Sequence, residues 1–295
     1  MRAVIRVVAL IVGLAAAGFL LLDGGGSDAA EAVASTGTTS AANGSSTASA
    51  SVPDPAPIDY VARLEAYSGH AEWVKYNSAD GTEITGYIAF PERPDAAPAM
   101  IVIHEIFGMS DFVRTVVQDL AEAGYVALAP DLLSRVGGTR GADQARAAIG
   151  DLDPDGITAD LDATRGYLRS LDSVRGAVGV IGFCWGGSQT FRYATNAADI
   201  DAAIVCYGGA PDPEAMTSIE APVLGVYAEN DARINASLPE VEAAMAAAGK
   251  SFDYEIYPGA NHGFIRSRNV PEEADRAWQN VLAFLSRHLE GTDGN

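Results

Sequence analysis

A strand that breaks directly into a helix, with no linker between them, leaves few folds open, and residues 177–196 carry that signature. The β-branched, apolar run 177–183 has the length of a buried strand. Cys184 follows at once, then Trp185-Gly186-Gly187 and a helix-forming stretch to Asn196. Gly182 and Gly186 stand two residues to either side of the cysteine, where side chains would collide in so sharp a turn. The pattern is the nucleophile elbow G-x-S-x-G with Cys in the Ser position. It sets a thiol at a helix N-terminus, whose partial positive charge favours a thiolate.

The rest of the chain repeats strand and helix around this turn. A hairpin opens the folded part near Pro57: residues 72–76 and 83–90 are strand-like and joined through Asp80-Gly81, a preferred tight-turn pair. Residues 99–104 read as a buried strand. Ser110 then caps a helix whose stripe of Phe112, Val113, Val116, Val117 and Leu120 ends at Gly124. Further strands are expected at 125–129, 202–207, 222–227 and 252–257, with helices near 142 and at 157–171, 238–248 and 272–289. This alternation calls for a mostly parallel sheet with helices on both faces, and such sheets gather reactive residues at the carboxyl ends of their strands.

An acid and then a histidine should follow the elbow in chain order. Asp231 lies directly after the strand at 222–227, and His262 after the next one, in Asn261-His262-Gly263-Phe264. His262 would take the thiol proton and Asp231 would fix its tautomer, with Glu229 as a rival acid. Of the other histidines, His70 precedes the core, His288 lies in the last helix, and His104 ends a strand as a packed side chain. His104-Glu105 has Gly108 four residues after the histidine, so H-E-x-x-H is absent and no metal is expected.

Composition bounds the rest. Of 295 residues 48% are hydrophobic, enough for one large core. Arg2 and Arg6 precede the apolar run 7–22, so residues 1–23 read as a signal peptide or an N-terminal membrane anchor. Residues 24–57, almost wholly small and polar, read as a disordered low-complexity linker, leaving 58–295 as the folded domain. Export to the periplasm or medium, or tethering to a membrane through residues 1–22, follows from that reading. With 39 acidic against 19 basic residues the net charge is -20, which repels nucleic acid. Two cysteines, Cys184 and Cys206, give no disulfide framework, and Cys206 reads as a buried apolar residue.

Together these motifs resemble the dienelactone hydrolase family over almost all of residues 70–289. The specific elements are Val102-Ile103-His104-Glu105-Ile106-Phe107-Gly108, Ala129-Pro130-Asp131-Leu132, the Gly182 to Gly187 elbow with Cys, and His262-Gly263-Phe264. The resemblance implies an α/β-hydrolase fold and a cofactor-free hydrolase of small esters or lactones, working through an acyl-thiol on Cys184. It implies that Glu105 contacts the resting thiol and swings to help deprotonate it. The backbone N–H groups of Trp185 and Ile106 then form the oxyanion hole. Arg266 matches an arginine that holds a substrate carboxylate, and a second is expected among Arg135, Arg140 and Arg146, with no choice between them. Trp185, bulky beside the nucleophile, departs from the pattern, and so does the leader.

Three other readings stay open on sequence alone. One is a broad carboxylesterase or thioesterase on the same triad. Another is a non-catalytic exported binding protein for small carboxylates. A thiol-redox role is the third, although no C-x-x-C motif supports it.

Overall fold

A computed structural model describes residues 58–290. Residues 1–57, including the leader and linker readings, and residues 291–295 lie outside the described residues. The chain enters through α1 (Tyr60–Ala66), capped by Asp59, and then forms β1 (His70–Asn77), β2 (Glu83–Phe90) and β3 (Ala97–Ile103). Next come α2 (Asp111–Glu122), β4 (Val126–Pro130), α3 (Ala142–Ala148), α4 (Pro154–Arg169) and β5 (Val174–Phe183). The C-terminal half runs α5 (Trp185–Asn196), β6 (Ala202–Cys206), β7 (Val223–Asn230), α6 (Ala232–Asn235) and α7 (Leu238–Ala247). It closes with β8 (Phe252–Asn261), α8 (Phe264–Ser267) and α9 (Pro271–Leu285).

The strands form one sheet in the order β1-β2-β4-β3-β5-β6-β7-β8. The β1–β2 and β2–β4 pairs are antiparallel, and every pair from β4 to β8 is parallel. Both faces are buried, which is why the central strands read as continuous apolar runs rather than alternating ones. On β3, Met100 and Val102 join one core, while Ala99, Ile101 and Ile103 join the other. The first core is closed by α2 and α9 through Phe112, Val116, Val281 and Phe284, the second by α4, α5 and α7 through Leu161, Phe191 and Val241. Each such apolar side chain stabilises by about 1.5–3 kcal/mol when fully buried, so the two-sided burial holds the sheet in register.

Three local differences from the sequence reading have physical causes. The hairpin turn is the wider loop 78–82, closed by Ser78 N–H to Thr82 O at 2.8 Å with Gly81 at φ 87°, rather than a two-residue turn. The last helix ends at Leu285 and widens into a π turn at Ser286–Glu290, short of the expected 289. The strands β7 and β8 run several residues past their expected ends and stay paired, Asn230 opposite Asn261. That extension sets the residues that follow them, Asp231 and His262, side by side.

Candidate active site

Cys184 sits where β5 breaks into α5, with φ 56° and ψ -115°, a conformation costly for a residue bearing a Cβ. The glycines permit it. A Cβ on Gly182 would lie 2.1 Å from the carbonyl oxygen of Gly186, and one on Gly186 would lie 2.4 Å from that of Ile103. The Cys184 N–H donates to Cys206 O at 3.0 Å, tying the elbow to the end of β6. Cys206 is a free, wholly buried thiol in the core, as is expected of an apolar cysteine.

Asp231 is buried, and its Oδ2 accepts from His262 Nδ1 at 2.5 Å. A proton on Nδ1 leaves Nε2 bare. Glu229, the rival acid, is exposed and accepts from the Gly259 N–H at 2.8 Å, away from the histidine. His262 and the elbow share a neighbour in Tyr207, at φ 40° after β6. Its ring meets His262 edge-on at 5.2 Å, and burial, then the charge of Glu105, pushes its phenol up. Among the described residues the buried Tyr207 hydroxyl has no hydrogen-bond partner. Sequence reading missed this residue, since only the packing of β6 beside β7 brings it to His262.

Glu105 follows β3 and is about 1% exposed. Its Oε2 lies 2.9 Å from Arg266 Nε, a close charge pair whose atoms are not aligned as a hydrogen bond. Burial pushes the carboxyl up to about 7 in spite of Arg266, so desolvation outweighs the ion pair. Cys184 is also pushed up, first by burial and then by the charge of Glu105, against lowering by the Trp185 N–H, Arg233 and Arg266. The helix N-terminus alone favours a thiolate, yet burial and the carboxylate win, and the resting group is a thiol. Arg233, exposed two residues past Asp231, is a further cation that sequence reading did not single out.

The three candidate arginines separate. Arg135 grips the buried Asp160 with Nε and Nη2 at 2.8 and 2.6 Å and reaches Asp80 at 2.5 Å, so it staples the hairpin loop to α4. Arg140 turns back onto Gly137 O at 3.0 Å. Arg146, exposed on α3, lies 5.2 Å over the ring of Phe107, and Arg266 lies 5.0 Å from the same ring. Two guanidinium groups therefore lie against one aromatic side chain, two residues after Glu105. The Arg266 backbone is in turn held by Tyr60, whose hydroxyl donates to its carbonyl at 2.6 Å, which gives α1 its place in the site.

A family model described as the dienelactone hydrolase family matches residues 84–289. The chain belongs to the dienelactone hydrolase family. A Saccharolobus solfataricus protein named "Putative carboxymethylenebutenolidase" is 33% identical over 253 residues, covering 72% of this chain and 97% of that one. A Bradyrhizobium sp protein named "Probable 2-oxo-3-(5-oxofuran-2-ylidene)propanoate lactonase" is 31% identical, covering 75% of this chain and 95% of its own. A solved structure titled "Putative Dienelactone Hydrolase" from Klebsiella pneumoniae subsp. pneumoniae MGH 78578 superposes with a TM-score of 0.67 at 27% identity. It covers 74% of this chain and 100% of that one.

This dienelactone hydrolase family chain is therefore an α/β-hydrolase acting on a small molecule. Its family motifs divide by role. Asp131 accepts from Leu133 N–H and from Thr139 N–H and Oγ1, so Ala129-Pro130-Asp131-Leu132 pins the irregular segment after β4. Trp185, the departure noted in the sequence, turns its indole onto the second core and the ring of His104 at 5.4 Å.

Proposed function

We propose that the enzyme hydrolyses a small ester or lactone bearing a carboxylate, through an acyl-thiol on Cys184 with His262 as base and Asp231 as its orienter. The observation that carries this reading is the 2.5 Å Asp231–His262 contact at two adjacent strand ends, together with a cysteine held at φ 56° in an elbow. His262 Nε2 takes the thiol proton as sulfur adds to the carbonyl carbon. The Ile106 and Trp185 N–H groups receive the oxyanion. Collapse breaks the C–O bond, and the leaving oxygen takes the proton from His262; in a lactone it stays tethered to the acyl group. Water, giving a proton to His262, then adds to the acyl-thiol and releases the acid and the thiol.

Arg146 and Arg266, both against Phe107, suit a substrate carboxylate, the group that the names of both relatives above contain. A carboxylate on Arg266 competes with Glu105 for the guanidinium. Glu105 is then free to turn to Cys184 and help pass the thiol proton to His262, which couples activation to occupancy.

Mass spectrometry after mixing with dienelactones and aryl acetates tests the reading. The expected adduct is an acyl group on the peptide containing Cys184, absent in Cys184→Ala and accumulating in His262→Ala only slowly. Turnover unchanged in both variants rules the reading out. The basic and then apolar residues 1–23 support export. Cell fractionation is expected to place the activity in the exported or membrane fraction, and recovery in the cytosol alone rules export out.

A further inference from the structure

We infer that His104 is a positioning residue that aims the Ile106 donor of the oxyanion hole and packs against the residue that carries the other. The inference rests on the proposed roles of the Ile106 and Trp185 N–H groups. His104 directly follows β3 and is wholly buried. The Leu132 amide donates to its Nε2 at 3.2 Å. An amide N–H can only donate, so Nε2 carries no proton and Nδ1 does. Nδ1–H therefore donates to the carbonyl of Glu105, at 2.7 Å.

That carbonyl is one end of the planar trans peptide whose other end is the Ile106 N–H, and no peptide bond among the described residues is cis. Holding the oxygen fixes the direction in which the N–H points. The Glu105 carbonyl also accepts from Gly108 N–H at 3.2 Å, so the peptide is held from two sides. On its other side the imidazole stacks on the Trp185 indole, centroids 5.4 Å apart and planes 20° from parallel. Trp185 supplies the second N–H. One buried side chain thus contacts the peptide that carries the Ile106 N–H and the Trp185 ring, from the strand end beside the elbow.

His104 is not a rival base. Both of its nitrogens are satisfied inside the protein, and burial holds its pKa below the ordinary imidazole value, so the ring stays neutral. The sequence gives no sign of this role, because Leu132 follows β4 and Trp185 opens α5, both far along the chain from His104.

The test uses the full chain and two reactions of the same thiol. Acylation by p-nitrophenyl acetate passes through an oxyanion, whereas alkylation by iodoacetamide does not. His104→Phe keeps the ring on Trp185 and loses the donor. It is expected to slow acylation about 10²-fold while alkylation stays within about twofold. His104→Asn, whose amide stands where Nδ1 was, is expected to regain at least about tenfold of the acylation-to-alkylation ratio. Equal losses in both reactions, or unchanged acylation, overturn the inference. Should His104→Phe not fold, His104→Asn is compared with His104→Gln, whose amide stands at the ε position, and equal ratios overturn it. Acylation in the wild type that survives Cys184→Ala marks failure of the underlying mechanism instead, whatever His104 does.

Discussion

Glu105 has two effects on Cys184 that pull in opposite directions, and a single substitution separates them. Its charge raises the thiol, yet once Arg266 is engaged elsewhere it would help pass the thiol proton to His262. In Glu105→Gln the pH midpoint of iodoacetamide alkylation is expected to fall, because a like charge is gone, while ester hydrolysis drops by about 10²-fold. Alkylation and hydrolysis moving together in that variant would falsify the dual role. Stability follows from the same group. A carboxyl raised from 4.5 to about 7 binds its proton more tightly in the native than in the unfolded chain. Its contribution is complete below 4.5 and is lost as the pH rises through 7. Urea unfolding from pH 4 to 8 should show a fall on the order of 3 kcal/mol that Glu105→Gln lacks.

Between elements, the Arg135–Asp160 pair decides whether the hairpin loop stays on α4. Asp160 is fully buried and Arg135 supplies its neutralising partner. Arg135→Met leaves a buried carboxylate unpaired and is expected to cost about 3–5 kcal/mol in urea unfolding, whereas adding Asp160→Leu restores more than half of it. Sequence alone leaves Arg135 level with Arg140 and Arg146 as a clamp candidate, since nothing in its neighbours reveals a partner that far along the chain. The long elements were legible because their periodicity spans several turns, and the elbow, Asp231 and His262 because chain order and strand ends locate them. The four-residue helices α6 and α8 carry no period to read, and α1 buries no residue of its own. Tyr207, Phe107 and His104 act through neighbours on other helices and loops, which only the fold brings near.

At the scale of the molecule, a net charge of -20 with lysine only at positions 75 and 250 means that the folded chain repels itself. Exposed pairs such as Lys75–Glu83 offset this weakly, each contributing about 0–1 kcal/mol. Raising salt from about 20 mM to about 0.5 M shortens the screening length from roughly 20 Å to a few ångström. The expected result is a higher Tm, by about 2–4 °C for each kcal/mol of repulsion relieved, read by calorimetry; a falling Tm would show that ion pairs dominate.

Gly186 lies so near the carbonyls of Ile103 and His104 that a Cβ there would come within 2.4 and 2.5 Å of them, so the elbow and the β3 loop meet backbone to backbone. Activation then falls to the side chains of Glu105 and Arg266, which move within a frame set by the main chain. A methyl group at position 186 would have to part the two segments before the thiol could be presented at all, so this one hydrogen atom in place of a side chain keeps the nucleophile and the proposed Ile106 donor in a fixed relation.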